Sequence, residues 1–149
     1  MMGFSVRPLE GEDKVEWLEL WQQYLEFYKS SVADEVSESS WARMMDPDGD
    51  IYGFKAVDEN GVMVGMVTYL FHATTWTIGP RCYLNDLFTL PQTRGKGVGR
   101  ALIAAVHDAA TTAGAEQVYW MTQEFNYPGR TLYDKVAERT PFIKYVQKV

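Results

Sequence analysis

Apolar positions along this chain recur at two distinct periods, and the changes between them mark its elements. Phe4 to Leu9 alternates as a first strand does, and Glu10 to Asp13 marks a turn. From Val15 to Tyr28 the spacing lengthens. Val15, Leu18, Trp21, Leu25 and Tyr28 recur every three or four residues, with Glu16, Glu19, Gln22, Gln23 and Glu26 between them, which predicts an amphipathic helix. Its aromatics, including Trp17 and Tyr24, exceed what one buried stripe accommodates and leave rings for a substrate wall. Ser30 to Glu38 reads as a loop, with Ser37 or Ser39 capping a short helix through Met45. Asp46 to Asp50 has the opening of a calcium loop but not its closing glutamate, so it reads as a turn.

Tyr52–Asp58 and Val62–Phe71 are β-rich runs joined through Asn60-Gly61, a strong hairpin signal, and Arg81–Leu90 is a fourth strand. A helical face follows over Ala101 to Ala113, with Gly114 as its stop. Gln117–Thr122 predicts a fifth strand, about Gly129 to Val136 a further helix, and Phe142–Val146 a last strand, separated from that helix by Pro141. The order is that of a mixed α/β fold: a central, mostly antiparallel sheet flanked by helices, in a single domain over residues 1–149.

Charge and cysteine content narrow the class. Fourteen Lys and Arg against 20 Asp and Glu give a formal charge of -6, which argues against a nucleic-acid partner. Cys82 is the only cysteine, which fits a cytoplasmic setting, and no apolar run approaches membrane-spanning length. No metal-ligand spacing is present. His72 reads as structural, and Cys82 as a small buried hydrophobe rather than a nucleophile.

The chemistry concentrates in PQTRGKGVGR, Pro91 to Arg100. Gly95, Gly97 and Gly99 alternate with Arg94, Lys96, Val98 and Arg100 between a strand and a helix. Glycines permit a sharp turn, and N–H groups at a helix start form a positively polarised cradle for an anion. A P-loop would need Lys and then Ser or Thr directly after the last glycine, where Arg100 and Ala101 stand. A dinucleotide-binding turn would need G-x-G-x-x-G following the first strand. Neither fits, and a pyrophosphate cradle of another kind does.

Arg94, Gly97 and Gly99 match the R/Q-x-x-G-x-G/A motif of the GCN5-related N-acetyltransferases, and the element order resembles that family over nearly the whole chain. LWQQYLEFY, YLNDLF and VYWMTQE resemble the branch with the yeast-type histone and D-amino-acid N-acetyltransferases, and more distantly the diamine and thialysine acetyltransferases. The resemblance implies acetyl-CoA as co-substrate and direct transfer to a primary amine of a small molecule: a polyamine, a lysine-like compound or an amino acid. It implies that Leu87, Phe88 and Thr89 carry the backbone that pairs with the pantetheine arm. Gly95 through Arg100 would hold the pyrophosphate with Arg94, Asn126 would contact the arm, and Tyr133 would stand beside the thioester sulfur as acid.

The diamine enzymes have a glutamate where this chain has Asn85, which leaves Asp86, Glu124 or a water chain as the base. Trp21, Tyr24, Tyr28, Asn85 and Glu124 are expected around the acceptor amine. Acetylation of a protein lysine or N-terminus, and an acyl-CoA sensor without turnover, are the alternatives. Aromatic-rich helices and an unpaired final strand point to a homodimer.

Overall fold

The computed structural model describes residues 3–149. Its five strands are β1 (Phe4–Pro8), β2 (Tyr52–Asp58), β3 (Met63–His72), β4 (Arg81–Thr89) and β5 (Val118–Tyr119), hydrogen-bonded in that order into one sheet. β1 to β4 pair antiparallel, and β5 joins β4 in parallel. The helices are α1 (Lys14–Phe27), α2 (Asp34–Met45), α3 (Val98–Thr112) and α4 (Tyr127–Val136). The expected mixed α/β architecture is present, and the parallel pair arises because α3 carries the chain back across the sheet before β5.

Helices cover both faces. One face buries Val67, Tyr69, Cys82 and Leu84 under Val98, Leu102 and Val106 of α3, with Leu132, Tyr133 and Val136 of α4 at its margin. The other buries Met63, Met66 and Phe88 beneath Trp17 and Leu20 of α1 and Trp41 of α2. The start of α3 sits tight on the sheet because β3 offers Gly65. A Cβ there would lie 3.0 Å from Val98 Cγ1 and 3.1 Å from Leu102 Cδ1. This contact fixes the end of the helix that carries the glycine loop.

The sheet is tied to the start of α1 by a buried ion pair. Lys55 Nζ lies 2.7 Å from both carboxylate oxygens of Asp13, and Asp13 Oδ2 also accepts the Glu10 N–H. Removing either partner would strand a charge in the interior, at about 3–5 kcal/mol.

Four elements differ from the sequence reading. α2 starts at Asp34, inside the expected loop, and neither Ser37 nor Ser39 caps it. Asp34 and Glu35 occupy its first turn, where negative charge suits the helix dipole, and the Ser37 hydroxyl accepts the Trp21 indole N–H at 2.9 Å. α3 begins at Val98 rather than Ala101, so the glycine loop itself supplies the first turn. β5 pairs over two residues instead of Gln117–Thr122, and Phe142–Val146 forms no strand. Both are β-rich by composition, but a strand exists only where a neighbour accepts its hydrogen bonds.

Candidate active site

β4 and β5 pair at Cys82↔Val118 and Tyr83↔Tyr119 and then part. From Leu84 to Thr89 the β4 edge facing β5 therefore has no strand partner among the described residues. The cleft so opened runs between β4 on one side and residues 120–126 on the other.

A bulge decides which side chains β4 presents. Tyr69 opposes Leu84 and Thr68 opposes Asp86, so Asn85 is an extra residue in the ladder. Simple alternation would keep Asp86 on the face of Cys82 and Leu84, under α3. The extra residue turns Asp86 and Phe88 to the α1 face instead.

There Asp86 Oδ2 accepts hydrogen bonds from the Thr68 hydroxyl and, at 3.1 Å, from Asn85 Nδ2, and the carboxylate also accepts the Tyr24 hydroxyl. Burial pushes the Asp86 carboxyl above the ordinary aspartate range, while these three donors pull it back. Burial also raises Tyr24 far above the ordinary phenol range, reinforced by the Asp86 charge, so its hydroxyl remains a donor.

The α1 aromatics continue this surface. Trp21 stacks on Trp17 at 5.4 Å and on Tyr24 at 5.5 Å, and Tyr24 meets Tyr28 edge-on at 5.1 Å. The Tyr28 hydroxyl hydrogen-bonds Thr122, whose hydroxyl accepts Asn126 Nδ2 at 2.9 Å. Asn126 Oδ1 in turn accepts the Gly129 N–H and caps α4. A polar chain thus links α1 to the far wall of the cleft. Tyr133, nearly two turns into α4, packs against Trp120 at 5.6 Å, and burial followed by the nearby Tyr28 pushes its phenol up to about 12.

At the end of the cleft, Gly95 and Gly97 both adopt φ near +80° (79° and 86°), the left-handed region that other residues enter at a cost. Gly97 is the N-cap of α3, without a side-chain cap, and the Ala101 N–H to Gly97 carbonyl bond (3.0 Å) is the first of the helix. The N–H groups of Val98, Gly99 and Arg100 have no acceptor within the helix, and no acidic residue occupies the first turn. A Cβ at Gly99 would press on Leu132 of α4 at 3.2 Å. Arg94 is held by Phe27, with its guanidinium 5.7 Å from the ring, and reaches the Thr89 carbonyl at 3.5 Å. These N–H groups and cations fit a pyrophosphate.

The model of the Acetyltransferase (GNAT) family matches residues 15–137, which include every one of these groups. The chain belongs to the GNAT family of acetyltransferases. It is 38% identical over 141 residues to the D-amino-acid N-acetyltransferase HPA3 of Saccharomyces cerevisiae, covering 94% of this chain and 88% of that protein. It is 33% identical over 75 residues to thialysine N-epsilon-acetyltransferase of Mus musculus, covering 50% and 44% of the two chains. Its GNAT fold superposes on AAC(6')-Iy bound to the bisubstrate analogue CoA-S-monomethyl-acetylneamine with a TM-score of 0.85 at 21% identity, over 98% of both chains.

The structure brings Asp86, Asn85, Tyr24, Tyr28, Asn126 and Tyr133 to this cleft and leaves others at its margin. Leu87 and Phe88 turn their side chains into opposite cores, so only their backbone is offered to the cleft. The Glu124 side chain is exposed, and its main-chain carbonyl accepts Arg130 Nη1 at 2.6 Å. Lys96 and Arg100 are exposed on the loop. Thr68 and Thr122 were not legible as site residues. A threonine in a strand reads as a β former, and only the bulge and the cleft reveal their partners.

Two side chains set aside in the sequence are structural. Both His72 ring nitrogens are engaged at 2.8 Å, Nδ1 with the Ala73 carbonyl and Nε2 with the Tyr119 hydroxyl. Nδ1 is therefore the donor and Nε2 accepts. Cys82 is buried, and its thiol is pushed up to about 11, away from nucleophilic use. No group of His, Cys, Asp and Glu able to hold a metal occurs among the described residues.

Proposed function

We propose that this acetyltransferase uses acetyl-CoA to acetylate a primary amine of a small molecule, with Asp86 as base and Tyr133 as acid. The observation that carries the reading is the split of β4 from β5, which opens onto a half-buried carboxylate on one side and a half-buried phenol on the other. Bound there, the thioester supplies an acetyl carbonyl open to attack by an amine.

The residues divide the work by position. Arg94 and the loop from Gly95 to Arg100 grip the pyrophosphate with helix-start N–H groups and positive charge. The open backbone edge of Leu87, Phe88 and Thr89 pairs with the pantetheine arm as an added strand would, and Asn126 borders the arm from the other wall. The same backbone N–H groups oppose negative charge as it develops on the carbonyl oxygen.

An amine near pKa 10.4 is protonated at neutral pH, and presenting it as the free base costs on the order of 4–5 kcal/mol. Asp86, raised above an ordinary aspartate yet held by donors, takes that proton. Asn85 cannot accept a proton and steadies Asp86 instead. Tyr133, a phenol that is protonated at neutral pH and that burial raises further, gives its proton to the departing sulfur. The ring faces of Trp21, Tyr24 and Tyr28 suit a cationic ammonium before its proton is lost. The names of the D-amino-acid and thialysine relatives support an amino acid or lysine-like acceptor over a protein one.

Steady-state kinetics on Asp86→Asn and Tyr133→Phe test the assignment. Each is expected to lower kcat by about 100-fold, in the range for general acid–base groups, with the affinity for acetyl-CoA retained. Turnover unchanged in either variant removes that residue from the mechanism.

A further inference from the structure

Tyr133 stands on a helix that packing holds only lightly. No residue of α4 is fully buried, and Leu132, Tyr133 and Val136 meet the core at its margin. Residues 137–149 beyond it form no helix or strand that could brace its far end. The placement of α4 therefore depends on the hydrogen bonds at its start, and these lead back to one hydroxyl.

Asn126 caps the helix and is itself held. Its Oδ1 accepts the Gly129 N–H at 3.3 Å, and its Nδ2 donates to Thr122 Oγ1 at 2.9 Å. The fit is close enough to require glycine at 129, where a Cβ would lie 2.6 Å from Asn126 Nδ2. Because the Thr122 oxygen accepts from Asn126, its single hydrogen goes to the Tyr28 oxygen at the end of α1, across the cleft. Burial raises the Tyr28 phenol and this donation lowers it. Tyr28 is in turn set in place. Lys29, directly after it, takes φ 52°, the one left-handed non-glycine residue among those described, and the Lys29 and Ser30 N–H groups close the helix on the Glu26 and Leu25 carbonyls at 2.9 Å each.

We propose that Thr122 is a positioning residue for the reaction: it locks the start of α4 to the end of α1 and so sets the place of the Tyr133 hydroxyl in the cleft. The inference rests on Tyr133 acting as the acid. Thr122 acts through Asn126 and α4 rather than on the thioester. Valine keeps its shape without the hydroxyl and serine keeps the hydroxyl without the methyl, so the two properties separate.

A double-variant cycle on kcat for amine-dependent CoA release tests this. Thr122→Val is expected to lower kcat about tenfold, the order of a lost hydrogen bond, and Thr122→Ser to stay within about threefold of the unaltered chain. In the Tyr133→Phe background Thr122→Val is expected to have no further effect, because no hydroxyl remains to be placed. Full turnover in Thr122→Val, or a loss that repeats in full in the Tyr133→Phe background, overturns the proposal and leaves the assignment of Tyr133 standing. Full turnover in Tyr133→Phe alone overturns that assignment and the proposal with it. Amide hydrogen exchange supplies a readout independent of turnover. The Gly129 N–H is expected to exchange about tenfold faster in Thr122→Val than in Thr122→Ser, and equal rates overturn the proposal. Should Thr122→Val misfold, Tyr28→Phe cuts the lock at its other end and is expected to speed the same exchange over the unaltered chain; an unchanged rate there overturns the proposal.

Discussion

Asp86 is a carboxylate whose behaviour is set by its immediate neighbours. Burial raises it, and the hydroxyls of Thr68 and Tyr24 and the amide of Asn85 stabilise its anion and lower it again. The proposed base must be ionised to act, so activity is expected to fall as pH drops through the Asp86 pKa. Removing a donor destabilises the anion, raises that pKa and moves the fall to higher pH. Thr68→Val is therefore expected to shift the acid limb of kcat/KM upward by about one pH unit, the scale of one hydrogen bond to a charged group. An acid limb that stays in place in Thr68→Val would detach Thr68 from the reacting carboxylate. Asp86 was legible as a candidate from its strand and from the asparagine beside it. Its donors were not, because Thr68 lies on another strand and Tyr24 on α1, 18 and 62 positions away along the chain, and only register and packing join them.

Among the elements, the glycine loop was the most legible, since its function depends on backbone conformation and glycine writes that into the sequence. Gly97 at φ 86° has no neighbour that a methyl group would strike, so the cost of Gly97→Ala is conformational alone, about 1–2 kcal/mol. Because the same residue aims the N–H groups of α3, the variant is expected to lose several degrees in melting temperature and about tenfold in CoA affinity by calorimetry. Loss of stability with CoA affinity intact would separate the loop from the pyrophosphate. The hairpin of β2 and β3 was equally plain from Asn60-Gly61. The bulge at Asn85 was not, since an inserted residue leaves no compositional trace. β5 and the Phe142–Val146 run misled for the opposite reason: their composition is that of strands, but pairing is a property of the neighbour.

At the scale of the molecule, the sheet with helices on both faces followed from the order of periodicities, and the family from the loop within that order. The acceptor was the least legible part. The wall proposed for it draws on α1, β4 and the segment after β5, and its α1 side chains are aromatic residues that any core would also use. Among the described residues no helix is long and apolar enough to cross a membrane. The measurement that bears most directly on the account is CoA release from acetyl-CoA, followed with a thiol reagent across a panel of D- and L-amino acids, lysine analogues and polyamines. The account predicts release that depends on at least one small amine and yields its acetylated product. Tight binding of acetyl-CoA with no amine-dependent release across the panel would contradict it and leave a protein that senses the cofactor without turning it over.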